Sequence, residues 1–308
     1  MIVAGASVQG TAHLAGGQGC QDAFKAVDLG GTAVLAVSDG AGSRDRSALG
    51  AHIAVDAACR LLAERIPDAE EPPEAWTRWV AGRGGRVVEE YLRAVAGVLG
   101  AGALRAEAGA PGTGAGATGT DVGPGAEGLD ADTRAADTGT LADTRAADPS
   151  PLTDTRAADP STLAATLTAA VVAPPWVAFV SLGDGFGTLL TRDDRCHLVL
   201  PPPAAPAPFL SSPGAALRVR TFAVWEPDLA GVVLSTDGCA ALALDHPAVH
   251  QLPPEAGPLP AAGFFLGLAA TLRENHGDAE PLRRRLSGPE AGRTGDDLTV
   301  LCALVEGG

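Results

Sequence analysis

Four short motifs place a carboxylate where an apolar run starts or stops. Residues 32–37 lead into Ser38-Asp39-Gly40. Trp176–Leu182 leads into Gly183-Asp184-Gly185. Residues 231–234 lead into Ser235-Thr236-Asp237-Gly238. Asp296-Asp297 directly precedes the run 298–305. Any one of these is ordinary turn chemistry, because Asp-Gly supplies tight-turn geometry. Taken together they suggest more. If buried strands bring these ends to one place, four carboxylates meet. Like charges at that range repel and raise one another's proton affinity. A divalent cation relieves the repulsion.

The donors are all oxygens, and no thiolate or imidazole cluster lies near them in sequence. That set suits Mg²⁺ or Mn²⁺ over Zn²⁺. Two such ions sharing a carboxylate would activate a water for in-line attack and hold phosphoryl oxygens. The glycines after Asp39, Asp184 and Asp237 would let a main-chain carbonyl approach an ion without a side-chain clash.

Such a site needs strands that end together. Residues 3–8 and 23–28 read as short strands, and 32–37 as a buried one bounded by turn residues. Ser47 opens a helical pattern with Leu49, Ile53, Ala57 and Leu61 on one face. A second helical pattern covers 73–99, weakened by Gly82, Gly84 and Gly85. Strands follow at 163–172, Trp176–Leu182, Phe186–Thr191, 197–200, 217–224, 231–234 and 298–305. Helices are predicted at 261–274 and 281–286. No charge occurs between Asp159 and Asp184, but Pro174-Pro175 divides the stretch. Two strands meeting at a turn explain it better than a membrane span.

Residues 100–161 differ in kind. They are Gly, Ala, Thr, Asp and Pro with no aromatic residue. Three 11-residue units, 132–142, 143–153 and 154–164, each begin Asp-Thr-Arg-Ala-Ala-Asp. Their apolar residues are too sparse for a core, so the segment reads as a low-complexity, disordered insert. Residues 1–99 and 162–308 then form one interrupted domain. The Gly114-Ala115-Gly116-Ala117-Thr118-Gly119 match to a dinucleotide fingerprint falls inside the insert with no strand before it, and is set aside.

The chain has 308 residues, with Lys+Arg 22 against Asp+Glu 37 and a net charge of −15. Phosphate backbones and anionic lipids select basic faces, so neither nucleic acid nor membrane is an expected partner. The start has no basic segment leading a long apolar core, which argues against a signal peptide. Five dispersed cysteines, none in a C-x-x-C pair, read as reduced thiols in a cytoplasmic protein.

The order of motifs resembles the metal-dependent type 2C serine/threonine protein phosphatases in their bacterial form. The resemblance rests on Gln21-Asp22, Asp39-Gly40-Ala41-Gly42, Ser47-Ala48-Leu49-Gly50 and Ala164-Ala165-Thr166-Leu167. It continues through Gly183-Asp184-Gly185, Ser235-Thr236-Asp237-Gly238 and Gly295-Asp296-Asp297-Leu298-Thr299. It implies an α+β fold, a four-layer α-β-β-α sandwich of two antiparallel sheets with helix pairs outside. It implies that Asp39 bridges two ions, that the Gly40 carbonyl binds one, and that Asp237 and Asp296 complete the other. Asp184 would help hold a third, more loosely bound ion. Asp39, Asp237 and Asp296 would thus carry catalysis, with Gln21, Asp22 and His13 on the phosphate side or behind the ligands.

Three positions depart from the family pattern. Gln21 stands where Glu is usual, Gly17 where many members carry a phosphate-gripping Arg, and Ala41 where eukaryotic members often carry a His. His13, Arg44 and Arg46 are the candidates to grip phosphate instead. The expected activity is dephosphorylation of phosphoserine or phosphothreonine in proteins, with a serine/threonine kinase as the opposing partner. The alternatives are a catalytically weak phosphatase-like binding module and a hydrolase of a small phosphate ester.

Overall fold

Apolar runs that end in Gly, Asp, Ser or Pro become strands here because both of their faces are covered. The computed structural model describes residues 1–42, 46–108, 159–203, 206–289, 292 and 294–306. Along the chain come β1 (Ile2–Val8), α1 (Thr11–Ala15), β2 (Ala23–Asp28), β3 (Ala33–Ser38), α2 (Ser47–Leu62) and α3 (Pro73–Ala108). Next are β4 (Leu167–Ala173), β5 (Trp176–Leu182), β6 (Phe186–Thr191), β7 (Cys196–Leu200), β8 (Arg220–Trp225) and β9 (Leu229–Ser235). Then follow α4 (Ala240–Ala243), β10 (Leu244–Asp245), β11 (Leu259–Pro260), α5 (Ala262–Glu274), α6 (Glu280–Leu286) and β12 (Leu298–Leu304).

The strands form two five-stranded sheets, ordered β1-β12-β9-β6-β7 and β2-β3-β4-β5-β8, and β10 pairs with β11 separately. Every neighbouring pair is antiparallel. Leu35, Val37, Ala170, Phe179, Leu189, Leu234 and Leu301 fill the space between the sheets. Val34, Ala36, Ala169 and Val171 face the other way, onto α2 and α3. Val300 and Cys302 face α5 and α6, with Phe265 and Leu272. The order is helices, sheet, sheet, helices, as the α-β-β-α expectation has it. Each sheet buries both faces, which is why β3, β4, β5, β9 and β12 are buried at every residue.

The expected face of α2 needs correction. Leu49 is 39% exposed, and the buried stripe instead holds Gly50, Ala51, Ala54, Ala57, Ala58 and Leu61. Small residues let this helix sit close to its neighbours: a Cβ on Gly50 would lie 2.0 Å from Leu163 O. Helix α3 likewise runs through its glycines and continues past 99 to Ala108. A Cβ on Gly84 would meet Thr221 Cγ2 at 2.6 Å, so that glycine permits contact with β8. The strand expected over 163–172 begins later. Pro160–Leu163 is a single 3₁₀ turn, and β4 starts at Leu167. The strand expected over 217–224 starts at Arg220, behind a second 3₁₀ turn.

The turn at Pro174-Pro175 joins β4 to β5 as predicted, with a cis peptide. Most of the insert, and with it nearly all of the three repeats, lies outside the described residues. Among the described residues no helix is long and apolar enough to cross a membrane. All five cysteines are free, and Cys59, Cys239 and Cys302 are buried.

Candidate metal centre

Each predicted acid is delivered by the end of a strand, and local bonds explain how. Asp39 follows β3. Its N–H donates to Thr166 Oγ1 at 3.0 Å, and its carbonyl accepts from Thr166 N at 2.8 Å. Ser38 Oγ donates to Thr166 O at 2.6 Å. The Ala164–Thr166 stretch, taken for strand from sequence, is thus the clamp on the Asp39 loop. Ala41 N donates to Ala164 O, and Gly40 bridges Ala165.

The glycines after the acids have a packing reason. A Cβ on Gly40 would lie 2.7 Å from the Ser47 carbonyl group. One on Gly238 would lie 2.0 Å from Asp297 O. Asp184 sits in the β5–β6 turn after Gly183, whose φ of +127° favours glycine. Asp237 opens the short turn after β9, and its Oδ1 accepts from Gly238 N at 3.0 Å.

One carboxylate oxygen each from Asp39, Asp184 and Asp237 lies within 4.8 Å of the others. Asp296 is close enough for its charge to act on all three. Burial pushes Asp39 up to about 10, and the charges of Asp22, Asp237, Asp296 and Asp184 push the same way. Burial, then Asp184 and Asp296, raise Asp237 to about 6. Asp184 is raised by burial and by Asp296. Asp22 rises to about 7 by burial, although Thr299 and Thr236 oppose the shift. Among the described residues no lysine or arginine forms an ion pair with any of these acids.

This arrangement fits a hard divalent cation. The donors are carboxylates only, the repulsion is uncompensated, and Asp184 Oδ1 is buried with no hydrogen-bond partner. The structure brings together the four acids singled out from the sequence, with one difference of emphasis. Asp184 stands inside the tight group with Asp39 and Asp237, while Asp296 is the neighbour.

The acid pair before β12 divides its labour. Asp296 faces the cluster. Asp297 is buried and acts as a tie: Oδ1 accepts from Gly10 N and Oδ2 from Gln21 N, each at 2.6 Å. His13 Nδ1 lies 3.0 Å from Asp297 Oδ1, without the alignment of a hydrogen bond. The sequence signal for this tie was the doubled Asp. Its partners, more than 270 residues away along the chain, gave none.

Gln21 is also held. Its Oε1 accepts from Ser47 Oγ at 2.9 Å, and its carbonyl accepts from Gly40 N at 3.2 Å. Ser47, read from sequence only as a helix start, therefore anchors Gln21 to α2. Gly17 has φ +68° in the turn after α1, which explains a glycine there. Arg46 is exposed at the N-terminus of α2, and Arg44 lies outside the described residues.

A model of one family, Protein phosphatase 2C, matches residues 9–286. No curated protein matches the chain. Among solved structures, a bacterial serine phosphatase is similar, with TM-score 0.50 and 11% identity over 100% of this chain and 99% of that one. A substituted form of a bacterial serine phosphatase gives TM-score 0.51 and 11% identity, covering 99% of each chain. At that identity the likeness shows the fold. The family match covers residues 9–286, and with them Asp39, Asp184 and Asp237, and it shows the family: the chain belongs to the protein phosphatase 2C family, the metal-dependent phosphoprotein phosphatases.

Proposed function

We propose that this chain hydrolyses phosphoserine and phosphothreonine monoesters in proteins, with Mg²⁺ or Mn²⁺ held by the acid cluster. Asp39, Asp237 and Asp296 would hold the ions, with the Gly40 carbonyl as a main-chain oxygen. Asp184 would complete the set or help hold a third ion. The observation that carries this reading is the convergence of Asp39, Asp184 and Asp237 within 4.8 Å, with one Asp184 oxygen buried and unpartnered.

When bound, the ions supply charge neutralisation for the phosphoryl group and acidify a water for in-line attack. The chain's own residues do the positioning. Thr166 and Ser38 fix the Asp39 loop to β4. Thr236 orients Asp22 behind the cluster. Asp297 pins the segment carrying His13 and Gln21 against β12. Preorganised groups of this kind lower the reorganisation needed at the moment of reaction.

Residues 1–99 and 162–308 act as one interrupted domain, a reading supported by the pairing of β3 with β4 across the intervening segment. Asp159–Leu163 is best counted with the domain. Leu163 is buried, and its carbonyl accepts from Tyr91 OH. The opposing partner is a serine/threonine kinase in the same compartment, the cytoplasm.

The test is phosphate release from a phosphothreonine peptide with Mn²⁺, with Mg²⁺ and with EDTA. Metal-dependent release that Asp39→Asn abolishes supports the reading. A folded protein with no release under any metal would sink it in favour of a phosphatase-like binding module.

A further inference from the structure

We propose that the open edge of β8 pairs antiparallel with the same edge of a second copy of this chain, about a two-fold axis through Ala223. β8 ends its sheet, in the order β2-β3-β4-β5-β8. An edge strand presents free main-chain groups to any strand that fits, and natural edges block this with proline, charge or a cover. Between Arg220 and Glu226 this strand has neither proline nor charge. The residues Thr221, Phe222, Ala223, Val224 and Trp225 are all but one β-branched or aromatic, types that suit a pleated, half-buried surface. Trp225 is 57% exposed, although its neighbour on β5, Trp176, is buried.

The pairing with β5 decides which groups are free. Glu226 N donates to Pro175 O at 2.8 Å, and the register runs from there to Arg220 opposite Ser181. Hydrogen-bonded and non-bonded pairs alternate along an antiparallel ladder. Arg220, Phe222, Val224 and Glu226 therefore turn their main-chain groups toward β5. Thr221, Ala223 and Trp225 turn theirs outward. Among the described residues no main-chain hydrogen bond reaches those outward groups.

The charges at the two ends of this edge are self-complementary. Arg220 and the exposed Arg218 lead into it, and Glu226 and the exposed Asp228 follow it. Among the described residues none of the four forms an ion pair within the chain. Two copies related about Ala223 put Arg220 of one opposite Glu226 of the other, twice by symmetry. Arg218 and Asp228 bring the same signs together further out. Thr221 opposes Trp225 and Ala223 opposes Ala223, and each such pair exchanges both main-chain bonds. Phe222 opposes Val224 on the side turned toward the other sheet. Sliding the register by two residues one way sets Arg220 against Val224. Sliding it the other way sets Thr221 against Pro227, which has no N–H to give. Charge and free main-chain groups thus select the same register, and the two five-stranded sheets join into one.

A single strand pair is a small interface, so the association is weak and is measured at about 10–100 μM. Sedimentation equilibrium of the full chain should show monomer and dimer in exchange over that range. Amide hydrogen exchange at Thr221, Ala223 and Trp225 should slow as the concentration rises. Arg220→Glu and Glu226→Arg each set like charges opposite one another, and each should weaken the dimer by about 10-fold or more. An equimolar mixture of the two should restore association, because each then meets the opposite charge. Ala223→Pro removes an outward N–H that β5 does not use, so that chain should fold and stay monomeric. A wild type that is monomeric throughout would overturn the proposal. So would a dimer indifferent to Ala223→Pro, or charge variants that stay apart when mixed. Arg220 also bonds Ser181 Oγ and Pro201 O. If Arg220→Glu does not fold, Arg218→Glu and Asp228→Arg form the second pair and are read in the same way.

Discussion

Thr236 Oγ1 donates a 2.7 Å hydrogen bond to Asp22 Oδ2, joining residues 214 apart in sequence. The same oxygen accepts from Thr299 N at 3.2 Å. One hydroxyl thus links the β9 end, the β12 start and the segment before β2. Thr236→Val keeps the shape and removes the donor. Leaving a buried acid short of a partner costs about 1–3 kcal/mol. Urea unfolding should show a loss of that size, and Thr236→Ser should recover most of it.

Asp39→Asn should move activity and stability in opposite directions. Metal-dependent phosphate release should fall by about 1,000-fold or more, the scale of losing one centrally placed charge-stabilising group. The metal-free protein should melt higher than wild type, because one of several repelling buried carboxylates is gone. Calorimetry in EDTA beside an activity assay in Mn²⁺ checks both halves. A variant that is less stable in EDTA would contradict the repulsion.

The pH dependence of the metal-free protein follows from the same acids. Asp237, Asp22 and Asp39 are raised to about 6, 7 and 10 in the folded chain, against about 4 unfolded. Between those values the folded state holds protons that the unfolded state has released. Stability from these groups is therefore full below about pH 4 and is lost as pH rises through the folded values. In EDTA the melting temperature should fall from pH 5 to pH 9. With saturating Mn²⁺ the trend should flatten or reverse, because the cation competes with protons for the same oxygens.

Two glycines on neighbouring helices should respond in opposite ways to alanine. A Cβ on Gly50 would lie 2.0 Å from Leu163 O, so Gly50→Ala must push α2 off the Pro160–Leu163 turn. Overpacking of this kind costs about 1–3 kcal/mol. Gly82 in α3 has no atom within 4 Å of that position. Gly82→Ala should stabilise by about 0.5–1 kcal/mol through helix propensity. Parallel denaturant curves for the two variants separate local packing from propensity.

The strand ends that carry Asp39, Asp184 and Asp237 were legible because turn chemistry is local: each follows an apolar run and precedes a glycine. The sandwich was legible through the motif order, which carried the family resemblance. The exposed side of Leu49 was not, because alanines can serve as a buried face wherever a helix sits close, and hydrophobicity alone ranks leucine above them. The start of β4 was misplaced for a related reason. Residues Ala164–Thr166 have strand-like composition, yet their backbone groups are spent on Asp39 and Ala41. The ties from Asp297 to Gly10, His13 and Gln21, and from Ser47 to Gln21, depend on tertiary placement, and no periodicity encodes them.

The position of β12 has a further consequence. It is the last of the described strands, yet it lies between β1 and β9, inside its sheet. Asp296 and Asp297 come immediately before it. During synthesis, β1 and β9 emerge with no partner between them, and the centre lacks both Asp296 and the tie on His13. On the reading proposed above, a chain that stops before residue 296 is expected to release no phosphate, because it lacks Asp296, the Asp297 tie and the strand between β1 and β9.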